Sequence, residues 1–312
     1  MKIIFYILFT LSFSFSQNEA GSSFLIGTNA RELALSNSLV SSYNMGFNSF
    51  SNPALLNQTD KIEYGLSLFS LSLDRSIQSI SFSMPLPPVA TFGLSMFRSS
   101  AGNIPGYDSF GNQTQSEYST YESYVMATFA MHMNTLSVGA SFKLYNSKLI
   151  DNVKADGIGF DLGFYKKINE KNSIGVKITN LSSKYNWSFQ YNNFNQQYEE
   201  KLSTCIAVGY SSNIEFGKDN LALSPQLDFY DSDRYDLKLG LEYGLNLSKY
   251  VLNFRLGIKN SKNFDYSDND ISFGFGMPFD LKNYKMNFDY GITPGMVQEG
   301  ISHVVSLTFK VN

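Results

Sequence analysis

Two histidines, one cysteine and a scatter of carboxylates are the residues of this 312-residue chain that could do covalent or metal chemistry. A serine nucleophile needs a histidine within hydrogen-bond reach to activate it. His132 has Ala130 and Asn134 two positions away, and His303 has Ile301 and Val305. On a strand those are the positions that share a face, and none is a serine. His132, His303 and Cys205 lie far apart in sequence and give no zinc pattern. A single cysteine forms no intramolecular disulfide, and Cys205 reads as a small packing residue. Asp231, Asp233 and the acids from Asp265 to Asp270 offer oxygens to calcium, yet solvated loop carboxylates explain them as well. The expectation is a protein without catalytic residues, metal or cofactor.

The remaining charges are better read as structure. Lys143, Asp161, Lys177, Asp228, Asp236, Lys238, Glu242, Arg255, Lys285, Asp289 and Lys310 all sit on the polar phase of alternating segments. A selective open pore would show a ring of one sign. Mixed signs suit a network that fills a lumen or bonds something inside it. A net charge of −3 argues against a nucleic-acid partner.

The elements that must position these groups are strands. From about residue 61 onward, side chains alternate with period two. Leu237, Leu239, Leu241, Tyr243, Leu245 and Leu247 fall on one face, and Asp236, Lys238, Gly240, Glu242, Gly244 and Asn246 on the other. The same pattern recurs in Leu136–Leu144, Ile158–Phe164, Leu252–Ile258 and Ile271–Phe279, with glycine frequent on the polar face. Fourteen such segments are expected, each long enough to cross a bilayer when tilted. Their connections alternate between short turns and mostly longer loops, as in an outer-membrane barrel. Aromatics make up 15% of the chain and charged residues only 16%, which suits a wall with one lipid-facing side. The fold class expected is an all-β, fourteen-stranded antiparallel transmembrane barrel over residues 61–312. Lys2 followed by the apolar run Ile3–Phe15 and small residues to Ser16 predicts a signal peptide over 1–16.

Residues 17–60 do not alternate. Thr28 or Asn29 is placed to cap a helix from Ala30 to about Tyr43, and Asn52-Pro53 forces an extended residue. Arg31 is the best candidate for an ion pair between this segment and the wall, because a buried arginine needs a carboxylate partner. The pattern Phe24-Leu25, Ala30-Arg31 and Asn52-Pro53-Ala54 resembles the start of PorV/PorQ-type outer-membrane proteins, relatives of the FadL-type barrels. Ser36-Asn37-Ser38 departs from the glycine-rich run usual there. The resemblance implies fourteen strands, an N-terminal plug or hatch inside a monomeric barrel in the bacterial outer membrane, and one of two roles. The first is a non-enzymatic accessory of type IX-like protein secretion or surface attachment, with a translocon or cargo C-terminal domains as partners. The alternative is a transporter of hydrophobic small molecules.

Two long outer connections, Ala101–Thr120 and Lys184–Lys201, carry aromatic clusters that either bind a partner or pack on one another over the barrel mouth. Tyr107, Phe110, Tyr185, Trp187, Phe189 and Tyr191 are the contact candidates. A sealed wall under such a platform would favour secretion. A gap in the wall, or an apolar cavity beside the hatch, would favour transport.

Overall fold

The computed structural model describes residues 20–191, 194–231, 234–247, 250–263, 266–294 and 300–311. The signal peptide expected at 1–16 lies outside them. Seven strands run up to Tyr191: β1 (Glu63–Ser70), β2 (Arg75–Leu86), β3 (Ala90–Tyr107), β4 (Gln113–Met133), β5 (Leu136–Ile150), β6 (Val153–Lys167) and β7 (Asn172–Tyr191). Eight follow: β8 (Phe194–Lys201), β9 (Cys205–Phe216), β10 (Asp219–Tyr230), β11 (Tyr235–Leu247), β12 (Tyr250–Asn263), β13 (Tyr266–Leu281), β14 (Tyr284–Pro294) and β15 (Ile301–Val311).

All strands but β8 form one closed antiparallel ring of fourteen, and β1 meets β15 with Ser67 opposite Ser306. Closure leaves no open edge in the ring itself, as a spanning sheet requires, and β8, outside it, pairs with β7 alone among the described residues. The lower half of β7 pairs with β9 (Asn172 opposite Ser212, Thr179 opposite Cys205). Its upper half pairs instead with β8 (Tyr185 opposite Glu200, Trp187 opposite Tyr198). The expected outer loops are therefore largely strand. Ile104 opposite Tyr118 and Trp187 opposite Tyr198 supply the cross-strand pairs that extend the ladders beyond the membrane.

Burial is inverted relative to a soluble protein. Leu66, Ile80, Phe129, Phe254 and Phe273 are exposed on the outside, whereas Ser81, Thr128, Ser141, Asp161 and Arg255 are buried inside. The apolar face is the lipid face.

Residues 20–60 pack against this inner face and add apolar filling to it: Ala30, Ala34, Leu35, Leu39, Ala54, Leu55 and Leu56 are all buried. Helix α1 (Ala30–Ala34) lies against β12 to β15, and the 3-10 turn Pro53–Gln58 lies against β3 to β6. A second short helix, α2 (Asn48–Ser51), links them. The helix expected to reach Tyr43 stops nine residues early, since α1 ends at Ala34. Ser36 and Asn37 then adopt left-handed backbone (φ 51° and 57°). Their short polar side chains compete with helical bonding: Asn37 Nδ2 donates to Leu25 O (3.0 Å), and Ser36 Oγ shares a hydrogen bond with wall Ser272 Oγ (3.1 Å).

Candidate functional site: the lumen and its N-terminal segment

Asn29 starts α1 as expected, its Oδ1 accepting from Glu32 N (3.0 Å). The cap leaves Arg31 facing the wall, where Nε and Nη2 grip both oxygens of Glu242 (2.9 and 3.0 Å). Nη1 donates to Tyr43 O (2.6 Å), so one guanidinium also ties two parts of the segment together. Arg255, on β12, hydrogen-bonds the same Glu242 and reaches Asp289 on β14 (2.6 Å). Two cations and two carboxylates thus close a buried network, and Glu242 is the wall partner that sequence left unnamed. Nearby, Ala30 N donates to Ser306 Oγ (2.7 Å).

The Asn-Pro-Ala motif works at the opposite wall. Asn52 Oδ1 accepts from Ala54 N (3.0 Å), starting the 3-10 turn with Pro53 at its first position. Asn52 Nδ2 donates to Val40 O (2.8 Å) and to Phe164 O on β6 (3.2 Å). Pro53 and Ala54 sit so close to β5 and β6 that a Cβ on Gly139 or Gly163 would overlap their backbone. Similar contacts recur around the ring: Gly175 and Gly209 against Val40, Gly257 against Ser36, and Gly274 against Ala34. Glycine here is a matter of space, because the segment's main chain lies flush on the wall. Where glycine is absent, hydroxyls bond that main chain: Ser79 to Thr28 O, Ser81 to Gly46 O and Ser173 to Ser41 O.

Phe24 and Leu25 face outward from the segment. Phe24 stacks on Tyr145 (5.8 Å) and meets Phe97 and Tyr124 edge-on. The rings continue through Tyr185 to Trp187, at 5.7 and 5.6 Å. Tyr185 and Trp187, expected on an exposed contact surface, are therefore core: they are 0% and 7% exposed. Their odd-numbered phase on β7 carries them to the inner face, a consequence visible only once Lys184–Lys201 is known to be strand. Phe110 (88% exposed) and Tyr107 (62%) do stand free near the β3–β4 tip, and Phe189 is part-exposed on β7. Tyr191 ends β7, and its side chain lies outside the described residues. Phe97 and Tyr145, which with Tyr124 form the centre of this aromatic train, escaped sequence reading, and Tyr124, read as a girdle aromatic at the membrane interface, is buried in the lumen instead; their signal was an aromatic on the polar phase of an alternating strand.

Among the described residues four cavities adjoin the segment, the widest of them, 430 Å³, lying between Asn57–Thr59 and the β2–β3 turn. One of 190 Å³ opens outward between it and β1, β2 and β12 to β15, with an apolar floor of Leu25, Ile26, Leu33, Phe69 and Leu71. Leu25 and Asn37 also border a second, of 120 Å³, against β7 and β9 to β11. This one is charged: Lys143 pairs with Asp161 (2.7 Å), Lys238 with Asp228 (2.5 Å), and Lys177 donates to Phe50 O (2.6 Å). The third, 270 Å³ and polar, lies at the periplasmic end between Ser41–Tyr43 and β6, β7 and β9 to β11.

The wall beside the second cavity is irregular. Between its pairings with β9 and β8, β7 bulges at Asn180 and Ser182, both with left-handed φ (60° and 53°), and its register against β6 shifts twice. Asn180 spans the break, donating from Nδ2 to Ser203 O (3.1 Å) and accepting on its backbone oxygen from Thr204 Oγ1 (3.4 Å). Asn180 and Ser203 line the cavity.

The histidines do meet hydroxyls, across strands rather than along them: His132 Nδ1 is 3.3 Å from Ser137 Oγ, and His303 Nδ1 is 2.7 Å from Tyr290 Oη. Cys205 is buried beside the second cavity.

No protein-family model and no curated protein matches the chain. Solved structures do resemble it. The CymD monoaromatic hydrocarbon channel superposes with a TM-score of 0.63 at 13% identity, covering 92% of this chain and 98% of its own. The Pseudomonas putida toluene transporter TodX gives 0.63 at 15%, covering 92% and 99%. A Pseudomonas aeruginosa FadL homologue gives 0.62 at 10%, covering 91% and 98%. The molecule thus shares the fold of these fourteen-stranded FadL-like barrels, with one strand added outside the ring, and its closed wall with an apolar outer face places it in the bacterial outer membrane.

Proposed function

We propose that this barrel carries hydrophobic small molecules across the outer membrane, with the N-terminal segment as its hatch. The observation that carries this reading is the 190 Å³ cavity between the segment and the wall, whose floor is Leu25, Ile26, Leu33, Phe69 and Leu71. A dry engineered cavity of ~150 Å³ binds benzene, so the space suits a molecule of about one ring. The break in the β7–β9 ladder, beside the second cavity, adds support, and the fold neighbours CymD, a monoaromatic hydrocarbon channel, and TodX, a toluene transporter, agree with it. The secretion role ranked first on sequence grounds has lost part of its basis, since Tyr185 and Trp187 are buried and offer no platform.

The test is uptake of radiolabelled toluene by intact cells whose lipopolysaccharide outer membrane slows its entry. Cells expressing the barrel take it up faster than cells expressing an unrelated fourteen-stranded barrel. Equal rates would sink the transport reading. Capture of exported proteins sharing a C-terminal domain would revive the secretion reading.

A further inference from the structure

On the β7–β11 side, the charged cavity and the periplasmic vestibule approach within the thickness of one chain. Val40 lines the first and Ser41 the second. Between the two levels the inward wall residues include Gly175 on β7, Gly209 on β9, Ser224 on β10 and Gly240 on β11; a Cβ on Gly175 would overlap the Val40 backbone, whereas Gly209 and Gly240 meet the side chains of Val40 and Ser38. The strap Leu39–Ser41 lies flush on this seat. Three side-chain hydrogen bonds hold it: Val40 N to Gln226 Oε1 (3.0 Å), Asn52 Nδ2 to Val40 O (2.8 Å) and Ser173 Oγ to Ser41 O (2.8 Å). The strap has neither helix nor strand structure, and Ser41 Oγ is buried with no partner among the described residues. Elsewhere the segment is fixed by an ion network or by a turn wedged on β5 and β6.

We propose that Leu39–Ser41 is the gate, and that solute leaves the lumen past Val40 into the vestibule beneath it. This rests on the transport reading and adds the route. The three bonds hold a neutral backbone, so the strap can lift without stranding a buried charge, unlike Arg31. The seat glycines set the closed state: Gly175 lets the Val40 carbonyl touch the wall backbone, and Gly209 and Gly240 receive the Val40 and Ser38 side chains. The Val40 isopropyl group fills the last gap against Gly209, and its loss widens the path.

The test locks the strap. With Cys205 replaced by serine, Val40→Cys and Gly209→Cys form a pair; the wall Cβ position falls against Val40 Cγ1, within disulfide reach. Toluene uptake by intact cells is measured after oxidation and after reduction. The oxidised pair should fall to the level of cells without the barrel, and dithiothreitol should restore it. A second variant, Gln226→Ala, removes the bond to Val40 N, along with the Gln226 Nε2 bond to Asp228 Oδ1 within the wall, without adding bulk, and should raise uptake several-fold, with the folded band retained on unheated gels. Undiminished uptake by the oxidised pair, with transport by the unaltered barrel intact, would route solute elsewhere, such as the Asn180 break, and overturn the gate alone. Uptake by no form above background would overturn gate and transport together.

Discussion

The segment meets the barrel in two different ways on its two sides. Against β11 to β15 it is held by charge: Arg31, Glu242, Arg255 and Asp289 form a closed network, and Ala30 N bonds Ser306. Against β7 and β9 the strap Leu39–Ser41 is held by fit: glycines admit it and a few neutral hydrogen bonds retain it, while Lys177 on β7 bonds Phe50 O outside the strap. Breaking a buried ion pair strands a charge, whereas lifting a backbone from a glycine costs only contacts and hydrogen bonds that water can replace. The first kind of contact stays put and the second can open. One side of the segment therefore serves as its anchor and the other as its moving edge.

The sharpest way to break this contrast is at the anchor. Glu242→Gln leaves Arg31 and Arg255 facing a neutral amide, with Glu242 only 14% exposed in the pairs it makes. Removing one partner of a buried pair costs about 3–5 kcal/mol. The expected result is a matching loss of stability in detergent denaturation and protease cleavage between residues 31 and 43 in a barrel that still closes. A variant as stable as the parent would show that the network anchors nothing.

Next comes the wedge. A methyl on Gly139 points into the backbone of Pro53 and Ala54, which cannot rotate aside. Overpacking of that kind costs about 1–3 kcal/mol. Gly139→Ala should lower the denaturation midpoint, and the same change at Gly102, which has open space, should not. Asn52→Ala should cost less, about 0.5–2 kcal/mol, the range for losing a helix cap. It also frees Val40 O, so a modest rise in toluene uptake should accompany the loss. Asn52→Asp keeps the acceptor for Ala54 N and loses the donor to Val40, separating the two effects.

Much of this frame was legible before any coordinates. Period-two alternation located the ring strands, because a wall between lipid and a wet lumen imposes opposite chemistry on alternate residues. Arg31 and Asn52-Pro53-Ala54 were flagged, and each makes a bond that positions the segment. The glycine seat was half visible: Gly139, Gly163, Gly240, Gly257 and Gly274 all fall on the polar phase. Nothing in one strand's pattern says that another segment's backbone will lie on it, so their shared level could not be read. The same limit hid Glu242, one of several lumen carboxylates. Strand β8 was missed because a polar, aromatic stretch reads as loop until cross-strand partners are known. The early end of α1 was missed for a related reason: Ser36 and Asn37 turn where the wall leaves no room for another helical turn.

The smallest effect expected concerns the periplasmic mouth, where anchor and wall meet again. Lys310 on β15 pairs with Asp60, just ahead of β1. Burial alone would raise the Asp60 carboxyl, but the hydrogen bond and charge of Lys310 outweigh it and hold the group below its ordinary range. A carboxyl with a depressed folded value stabilises the fold above its unfolded value and loses that contribution as pH falls through the depressed one. The contact should therefore be fully present at neutral pH and fade only under strong acid. Asp60 is largely exposed, so solvent screening keeps its contribution small. Measured as the denaturation midpoint against pH, the parent barrel should lose slightly more stability in that acid window than Asp60→Asn. Parallel curves would mean that Lys310 spends its charge on neighbouring Glu63 instead, 3.8 Å away. The clamp between the segment and the closing strand would then belong to Glu63, which also accepts from Tyr43 Oη and Gly46 N, and the anchored side would extend one strand further, onto β1.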